Sequence, residues 1–113
     1  LKEYETKVFD KVDFTAKLDD VMNEIKKTGR KQIVVVGAET HICVYQTIRD
    51  LIDDYKMIVL EDCVTSRRVE NKMNAIENFR EMNCLVINSE TLIFDILKRA
   101  GSAEFKTLSK LIK

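Results

Sequence analysis

The sequence has 113 residues, about the length of one domain, and 45% of them are hydrophobic, which is enough for a core. Nineteen basic and nineteen acidic side chains cancel, so charge gives no reason to expect a nucleic acid or an anionic membrane as partner. No apolar run approaches the roughly 20 residues that span a bilayer, and residues 1–7 contain no signal-peptide core.

Short apolar runs alternate with helical segments along the chain, and the first clear segment is a helix over residues 18–27. Its apolar residues recur at the spacing of one helix face: Leu18, Val21, Met22 and Ile25. Thr15 can cap the start of this helix, and Gly29 follows its end. Residues 32–37, "QIVVVG", form a continuous apolar run closed by glycine, which predicts a strand buried on both faces.

Two more helices enclose a second strand. The helix predicted over residues 44–55 has one apolar stripe, formed by Val44, Ile48, Leu51 and Ile52. Residues 56–62, "KMIVLED", predict the second buried strand. The helix predicted over residues 68–82 has an apolar stripe formed by Val69, Met73, Ile76 and Phe79.

The C-terminal part of the chain predicts one further strand and two helices. Residues 84–89 form the strand, and Ser89 can cap a helix over residues 90–100. Residues 102–113 predict a short amphipathic helix with three inward side chains, Phe105, Leu108 and Ile112.

This alternation of strands and helices is typical of parallel βαβ units, with helices on both faces of the sheet. We therefore predict a single α/β domain over residues 1–113, without a linker or a low-complexity segment. Three strands make a small sheet, and its free edge needs a cover or further strands. Because the first residue is Leu1 rather than methionine, we expect the chain to begin inside a longer one.

Ligands of open parallel sheets bind at the carboxyl ends of the strands, which here are followed by loops 37–43, 62–69 and 88–90. The first loop, "GAETHIC", has neither the GxGxxG spacing of a dinucleotide loop nor the lysine of a P-loop. It does place Cys43 at the predicted first turn of a helix, where N–H groups stabilise a thiolate and bind an oxyanion. Position alone leaves open whether Cys43 is a nucleophile or a small core residue.

Other chemistry-bearing residues give weaker signals. His41 is two residues from Cys43, a spacing that turns side chains apart, so we do not expect it to be the base. Cys84 opens an apolar strand and is predicted to be core, whereas Cys63 follows Asp62 in a loop and fits either role. Three cysteines without close spacing and a single histidine predict no disulfide framework and no multi-histidine metal site. We expect no metal, no cofactor and a reducing, cytoplasmic compartment.

Several segments together resemble the isochorismatase-like cysteine hydrolases, and in particular the small eukaryotic isochorismatase domain-containing proteins. They are "VVVGAETHICVYQT", "IVLEDCVTSR", "INSETLIFDIL" and "EFKTLSKLIK". Upstream, "VFDKVDFTA" is similar to the family's lysine-bearing segment, with Lys11, Phe14 and Thr15 at the matching places. The core pattern, G-x-E-T-H-x-C-V-x-Q-T, is far more specific than a lone cysteine.

The resemblance implies a three-layer α/β/α sandwich around a parallel sheet, with Rossmann-like topology. It also implies hydrolysis of C–N bonds in small amides through a thioester intermediate, by a triad of aspartate, lysine and cysteine. Cys43 would be the nucleophile and Lys11 the triad lysine. The substrate loop would comprise Ala38, Glu39 and Thr40, with a non-proline cis peptide bond between Ala38 and Glu39. In the family, N–H groups equivalent to those of Glu39 and Cys43 bind the oxyanion.

The triad aspartate is the serious departure from the family pattern. In the family it lies on the first strand, in an N-terminal portion that these residues do not contain, and Asp10 does not match it. The chain is therefore either part of a cysteine hydrolase or a non-catalytic family member that serves as an interaction or assembly module. We expect a small-molecule substrate and a homo-oligomer, with neither nucleic acid nor membrane as partner. Glu39 and His41 are expected to fix the turn by hydrogen bonds.

Overall fold

A computed structural model describes residues 6–112, and the side chain of Ile112, one of the predicted inward residues, lies outside the described part. This part of the chain contains three strands, five α-helices and one π-helical turn. In chain order these elements are α1 (Asp19–Thr28), β1 (Gln32–Ala38), the π-helical turn (Thr40–Val44), α2 (Tyr45–Leu51), β2 (Lys56–Thr65), α3 (Val69–Glu81), β3 (Leu85–Ile87), α4 (Ser89–Leu97) and α5 (Ala103–Ile112).

The three strands form one parallel sheet in the order β1-β2-β3, which confirms the predicted βαβ arrangement. β2 is three residues longer than predicted. Val35 pairs with Val59 but Gly37 pairs with Val64, so β2 has three more residues than β1 between these two pairs. The intervening residues of β2 bulge out of the ladder, and such bulges cannot be recognised from an apolar run. Gly37 has a φ of 121°, a conformation that side-chain-bearing residues rarely adopt, so glycine is required where β1 turns into the loop.

The main core lies between one face of the sheet and helices α2 and α3. Val59 from the centre of β2 is fully buried there against Ile48 of α2 and Phe79 of α3, each with 0% of its surface exposed. The predicted stripe of α2 is confirmed, because Ile48 and Leu51 belong to this core and Ile52 packs against it. Hydrophobic burial of these side chains is the main stabilising term of the fold.

The opposite face of the sheet is covered only in part. Ile58 and Leu60 of β2 are buried on this side, whereas Val34, Val36 and Leu85 remain 43%, 52% and 44% exposed. We call these three exposed residues the open sheet face. The prediction that β1 is buried on both faces is therefore wrong for this chain, because α4, the described helix on that side, lies mainly against β2.

Three further predictions need correction. Val69 and Met73 of the α3 stripe are exposed, because the side of α3 that faces the core is formed by Ala75, Ile76 and Phe79. Thr15 does not cap α1, whose N-cap is Leu18 without a side-chain bond. Ser89 is the first residue of α4 rather than its cap, and Asn88 accepts the capping hydrogen bond from the N–H of Thr91.

The end of α1 agrees with the signal in the sequence. Gly29 ends α1 in the left-handed conformation, with a φ of 69°, as predicted. Phe105 of α5 is half-buried and packs on Phe94 of α4, with ring centroids 5.7 Å apart. None of the helices between residues 6 and 112 is long and apolar enough to cross a membrane.

Replacing Phe79 by alanine should lower the free energy of unfolding by about 3–5 kcal/mol, because its ring is fully enclosed and leaves a cavity. Urea unfolding followed by circular dichroism measures this loss. Met73→Ala, on the same helix but 53% exposed, is the matched control and should change stability by less than about 1 kcal/mol. Equal losses for the two variants would contradict the assigned core.

Candidate functional site

The loop between β1 and α2 holds Cys43 at the carboxyl edge of the sheet. β1 ends at Ala38, and the chain then enters the π-helical turn, so Cys43 lies in this turn rather than in the first turn of an α-helix. π-helical turns are rare and occur often at functional sites. The Cys43 side chain is half-buried, which leaves its sulfur accessible from one side.

Backbone hydrogen bonds close the π-helical turn around the carbonyl of Glu39. The N–H groups of Ile42 and Val44 both donate to this carbonyl, at 3.1 and 3.2 Å. The N–H groups of Glu39 and Cys43 take no part in these closing bonds. The peptide bond between Ala38 and Glu39 is cis, as the resemblance implies.

Lys11 reaches Cys43 from a segment without regular secondary structure. Its Nζ lies 3.8 Å from the Cys43 Sγ and donates to the backbone carbonyls of Asp13, at 3.0 Å, and Phe14, at 2.8 Å. The structure therefore brings together the two side chains that the sequence singled out, across 32 positions of the chain. These carbonyl bonds direct the ammonium group, because a lysine without them would sample many rotamers.

Helix α2 anchors the segment that carries Lys11. The N–H of Ala16 donates to the Oγ1 of Thr47, a buried residue of α2, at 2.9 Å. The Thr15 hydroxyl bonds the carboxylate of Asp50, also on α2. Partial burial alone would raise the pKa of Asp50, but the bond from Thr15 and the neighbouring Arg49 outweigh it and hold this pKa below its ordinary value.

Glu39 and His41 connect the loop that carries Cys43 to the loop after β2. The Glu39 carboxylate accepts from the backbone N–H of Arg67, at 3.3 Å, and lies 3.7 Å from the Nε of the same residue. The Nδ1 of His41 is 3.0 Å from the Ser66 hydroxyl. These contacts fix the turn in the way expected for both residues. A pocket of about 270 Å³ lies beside them, but neither Cys43 nor Lys11 lines it.

Thr40 and Ala38 complete the loop and differ in their surroundings. Thr40 is fully buried, and its hydroxyl has no hydrogen-bond partner among residues 6–112. Ala38 ends β1 and is exposed. Ala38 therefore lines the surface of the loop, whereas Thr40 packs inside it.

No carboxylate in the described chain completes a triad with this pair. Asp10 is exposed, and neither it nor any other acid among residues 6–112 forms a hydrogen bond or an ion pair with the sulfur of Cys43 or the ammonium of Lys11. A base for the thiol of Cys43 is therefore not supplied by residues 6–112. The same residues contain no cluster of three or more His, Cys, Asp or Glu side chains suited to a metal ion.

The other two cysteines have different surroundings. Cys84 is buried, and burial raises the pKa of its thiol to about 11, so it is a core residue as predicted. Cys63 is exposed, and its sulfur lies 3.8 Å from the Asp62 carboxylate. Among residues 6–112, Cys63 has no cation beside its sulfur, unlike Cys43.

Sequence reasoning missed the contact between Asp62 and Ser89. The Asp62 carboxylate accepts from both the hydroxyl and the N–H of Ser89, and the hydroxyl bond is the main reason that the pKa of Asp62 is lowered. This contact ties the C-terminal half of β2 to the start of α4. Both positions lie near the carboxyl ends of neighbouring parallel strands, and that is the signal by which the sequence could have indicated the pair.

Comparison with known proteins identifies the relationships of this chain. The family model described as "Isochorismatase domain" matches residues 1–91. A secreted isochorismatase effector, Isc1, of Phytophthora sojae is 38% identical over 112 residues, which cover 96% of this chain and 53% of the relative. A solved structure titled as a MAR1 ribonuclease from Caenorhabditis elegans superimposes with a TM-score of 0.83 at 28% identity, covering 92% of this chain and 54% of the other.

A more distant solved structure, the nicotinamidase of Bacillus subtilis, shares the fold, with a TM-score of 0.65 at 20% identity over 69% of this chain and 44% of the other. The chain thus spans about half the length of the relatives that it matches. The family match is consistent with the parallel α/β fold and with the sequence of the loop that carries Cys43. The chain belongs to the isochorismatase domain family, a family of the hydrolase type.

Proposed function

We propose that the chain carries the nucleophile of a cysteine hydrolase that cleaves a C–N bond in a small amide through a thioester intermediate. The observation that carries the proposal is the 3.8 Å contact between the Lys11 Nζ and the Cys43 Sγ. An ammonium group at this distance is placed to pair with the sulfur of a nucleophilic cysteine during the reaction.

The proposed reaction has two stages. The Cys43 thiolate attacks the amide carbonyl, and the N–H groups of Glu39 and Cys43 donate to the resulting oxyanion. Collapse of this intermediate breaks the C–N bond, releases a protonated amine and leaves the acyl group on sulfur as a thioester. Water then attacks the thioester, the C–S bond breaks, and the acyl group leaves as a carboxylic acid while the thiol of Cys43 is restored. The carboxylate that first accepts the thiol proton comes from polypeptide outside residues 6–112.

A second candidate function is an interaction module that performs no chemistry. The open sheet face and the free edge of β1 favour it, because exposed apolar surface and unpaired strand edges are typical of partner-binding surfaces. A homo-oligomer in the cytoplasm is compatible with both candidates, although the Phytophthora sojae relative is named a secreted protein. Hydrolysis that depends on Cys43 separates the two candidates.

The complete protein should hydrolyse at least one member of a panel of small amides and esters, and Cys43→Ala should lower that rate by on the order of 10³-fold or more. Mass spectrometry should detect the acyl adduct on Cys43. Because one structural relative is titled a ribonuclease, a short RNA belongs in the panel as a separate substrate. RNA cleavage that survives Cys43→Ala, without amide hydrolysis, would contradict the proposal.

Cys43 should react with iodoacetamide near neutral pH faster than Cys63, although Cys63 is more exposed, because the Lys11 ammonium lies 3.8 Å from the Cys43 sulfur. A unit charge at about 4 Å contributes about 1 kcal/mol when solvent-screened, so Lys11→Met should slow the reaction of Cys43 about fivefold. Peptide mass spectrometry of time points measures each rate, and Cys84 is the unreactive internal control. Equal rates for Cys43 and Cys63 in the complete protein would reject an activated nucleophile.

Thr47→Val should loosen the segment that carries Lys11, because valine keeps the shape of threonine but cannot accept the Ala16 N–H bond. The loss of one such bond costs about 1 kcal/mol. Amide hydrogen exchange at Ala16 should accelerate, and the alkylation of Cys43 should slow. Thr107→Val, an exposed change on α5, is the control. Faster exchange at Ala16 with unchanged alkylation would show that this anchor does not position Lys11.

A further inference from the structure

Cys43 and Lys11 bring a sulfur atom and a primary amine together at a site that solvent reaches. The Cys43 side chain is half-buried, and Lys11 is exposed. The Sγ and Nζ atoms lie 3.8 Å apart, although 32 positions of the chain separate the two residues. Small oxidants convert an accessible cysteine thiolate to a sulfenic acid, whose sulfur is electrophilic. The product that follows depends on which nucleophile lies nearest to this sulfur.

A second thiol is one partner that captures a sulfenic acid, but the other two cysteines make their contacts elsewhere. The Cys63 thiol donates to the Asp62 carboxylate, at 3.8 Å. Cys84 is buried in the main core, and burial raises the pKa of its thiol to about 11, so this thiol stays protonated. Neither sulfur forms a hydrogen bond with the Cys43 Sγ, to which the Lys11 ammonium donates.

A backbone nitrogen is the second kind of partner, and here it is already engaged. The N–H of Val44, next to Cys43 in the chain, donates to the Glu39 carbonyl at 3.2 Å and so closes the π-helical turn. Bonding of this nitrogen to sulfur would break that hydrogen bond. The amine of Lys11 is on a flexible four-carbon stem, so it can approach the sulfur without a change in the turn.

We propose that Cys43 and Lys11 form a reversible sulfenamide bridge when hydrogen peroxide oxidises the protein. The Cys43 thiolate first attacks one oxygen of the peroxide and breaks the O–O bond, which yields the sulfenic acid and hydroxide. Sulfur is thereby oxidised by two electrons, and the peroxide is reduced. The neutral amine of Lys11 then attacks this sulfur, an S–N bond replaces the S–O bond, and the departing hydroxide leaves as water with a proton from the nitrogen.

The contacts of Lys11 are compatible with this product. Its Nζ now donates to the carbonyls of Asp13 and Phe14, at 3.0 and 2.8 Å. A bridged nitrogen keeps one hydrogen, so it retains a donor for one of these carbonyl groups. The bridge therefore ties the segment that carries Lys11 to the π-helical turn without leaving both carbonyls unpaired.

The bridge is a reversible modification of the candidate site. It occupies the sulfur that attacks the amide, so it switches off hydrolysis, and this consequence rests on the proposed function. The bond itself requires only the two side chains and the oxidant. One small thiol breaks the S–N bond and returns the amine, leaving a mixed disulfide, and a second thiol then releases the thiol of Cys43. The bridge also protects the sulfur from oxidation to a sulfinic acid, which thiols do not reverse.

The test treats the complete protein with hydrogen peroxide and maps its peptides by mass spectrometry before and after dithiothreitol. The peptides that contain Lys11 and Cys43 should appear joined, with a mass below their sum by two hydrogen atoms, about 2 Da. Dithiothreitol should remove the joined species. Lys11→Arg keeps the positive charge but supplies no neutral amine, so it should abolish the joined species. Lys7→Met changes another exposed lysine of the same segment and should leave the yield unchanged.

A further variant replaces Lys11→Arg if circular dichroism shows that variant to be unfolded. In Lys11→Met no amine captures the sulfenic acid, so the fraction of Cys43 present as sulfinic acid should rise at least about fivefold at equal peroxide exposure. An unchanged sulfinic fraction overturns the proposal, as does the absence of joined peptides.

Two other products would also overturn the sulfenamide. Joined peptides that contain one additional oxygen would identify an N–O–S bridge, and loss of two hydrogens within the Cys43 peptide alone would identify capture by a backbone nitrogen. All of these readouts are masses rather than rates of hydrolysis. Failure of the bridge therefore leaves the amide panel as a separate test of the proposed function.

Discussion

Parallel pairing between β1 and β2 determines where the loops of the candidate site meet, because Ala38 lies opposite Thr65 at the carboxyl edge of the sheet. From this point the first chain continues into the turn that holds Cys43, and the second continues into Ser66 and Arg67. The bonds of Glu39 and His41 cross the short distance between the two loops. Without this pairing, the turn that holds Cys43 would have no partner to fix its direction.

The position of Lys11 depends on a second set of contacts. No regular element contains Lys11, so its direction depends on two local carbonyl groups and on the anchor between Ala16 and Thr47. α2 both continues the turn that carries Cys43 and holds the segment that carries Lys11. Packing of α2 in the main core therefore positions both members of the pair, and core stability and site geometry are physically coupled.

Burial in the sheet is strongly asymmetric. On one side of the sheet, α2 and α3 enclose the side chains of β2 completely. On the opposite side, the residues of the open sheet face contact solvent. The same side of the molecule contains the free edge of β1. Residues 6–112 therefore leave part of the sheet uncovered and place no carboxylate beside Cys43.

Local sequence patterns predicted the order and type of the elements, because the periods of helices and strands and the turn conformation of Gly29 depend on neighbouring residues. The motif around Cys43 also indicated the nucleophile loop, and the resemblance indicated Lys11. Patterns could not predict which apolar residues are covered: Ile76 and Phe79 of the α3 stripe are buried, but Val69 and Met73 are not. Coverage depends on which elements exist to pack against a surface.

The remaining features were determined by tertiary structure alone. Two of them are hydrogen bonds between residues distant in sequence, one from Ser89 to Asp62 and one from Ala16 to Thr47. The third is the bulge in β2, which interrupts a regular ladder. A one-dimensional pattern contains no signal for such contacts, since they form only when packing brings the groups together. The sequence by itself thus determined the α/β class and the candidate nucleophile, whereas folding decided that Lys11 faces Cys43 and that one side of β1 stays open.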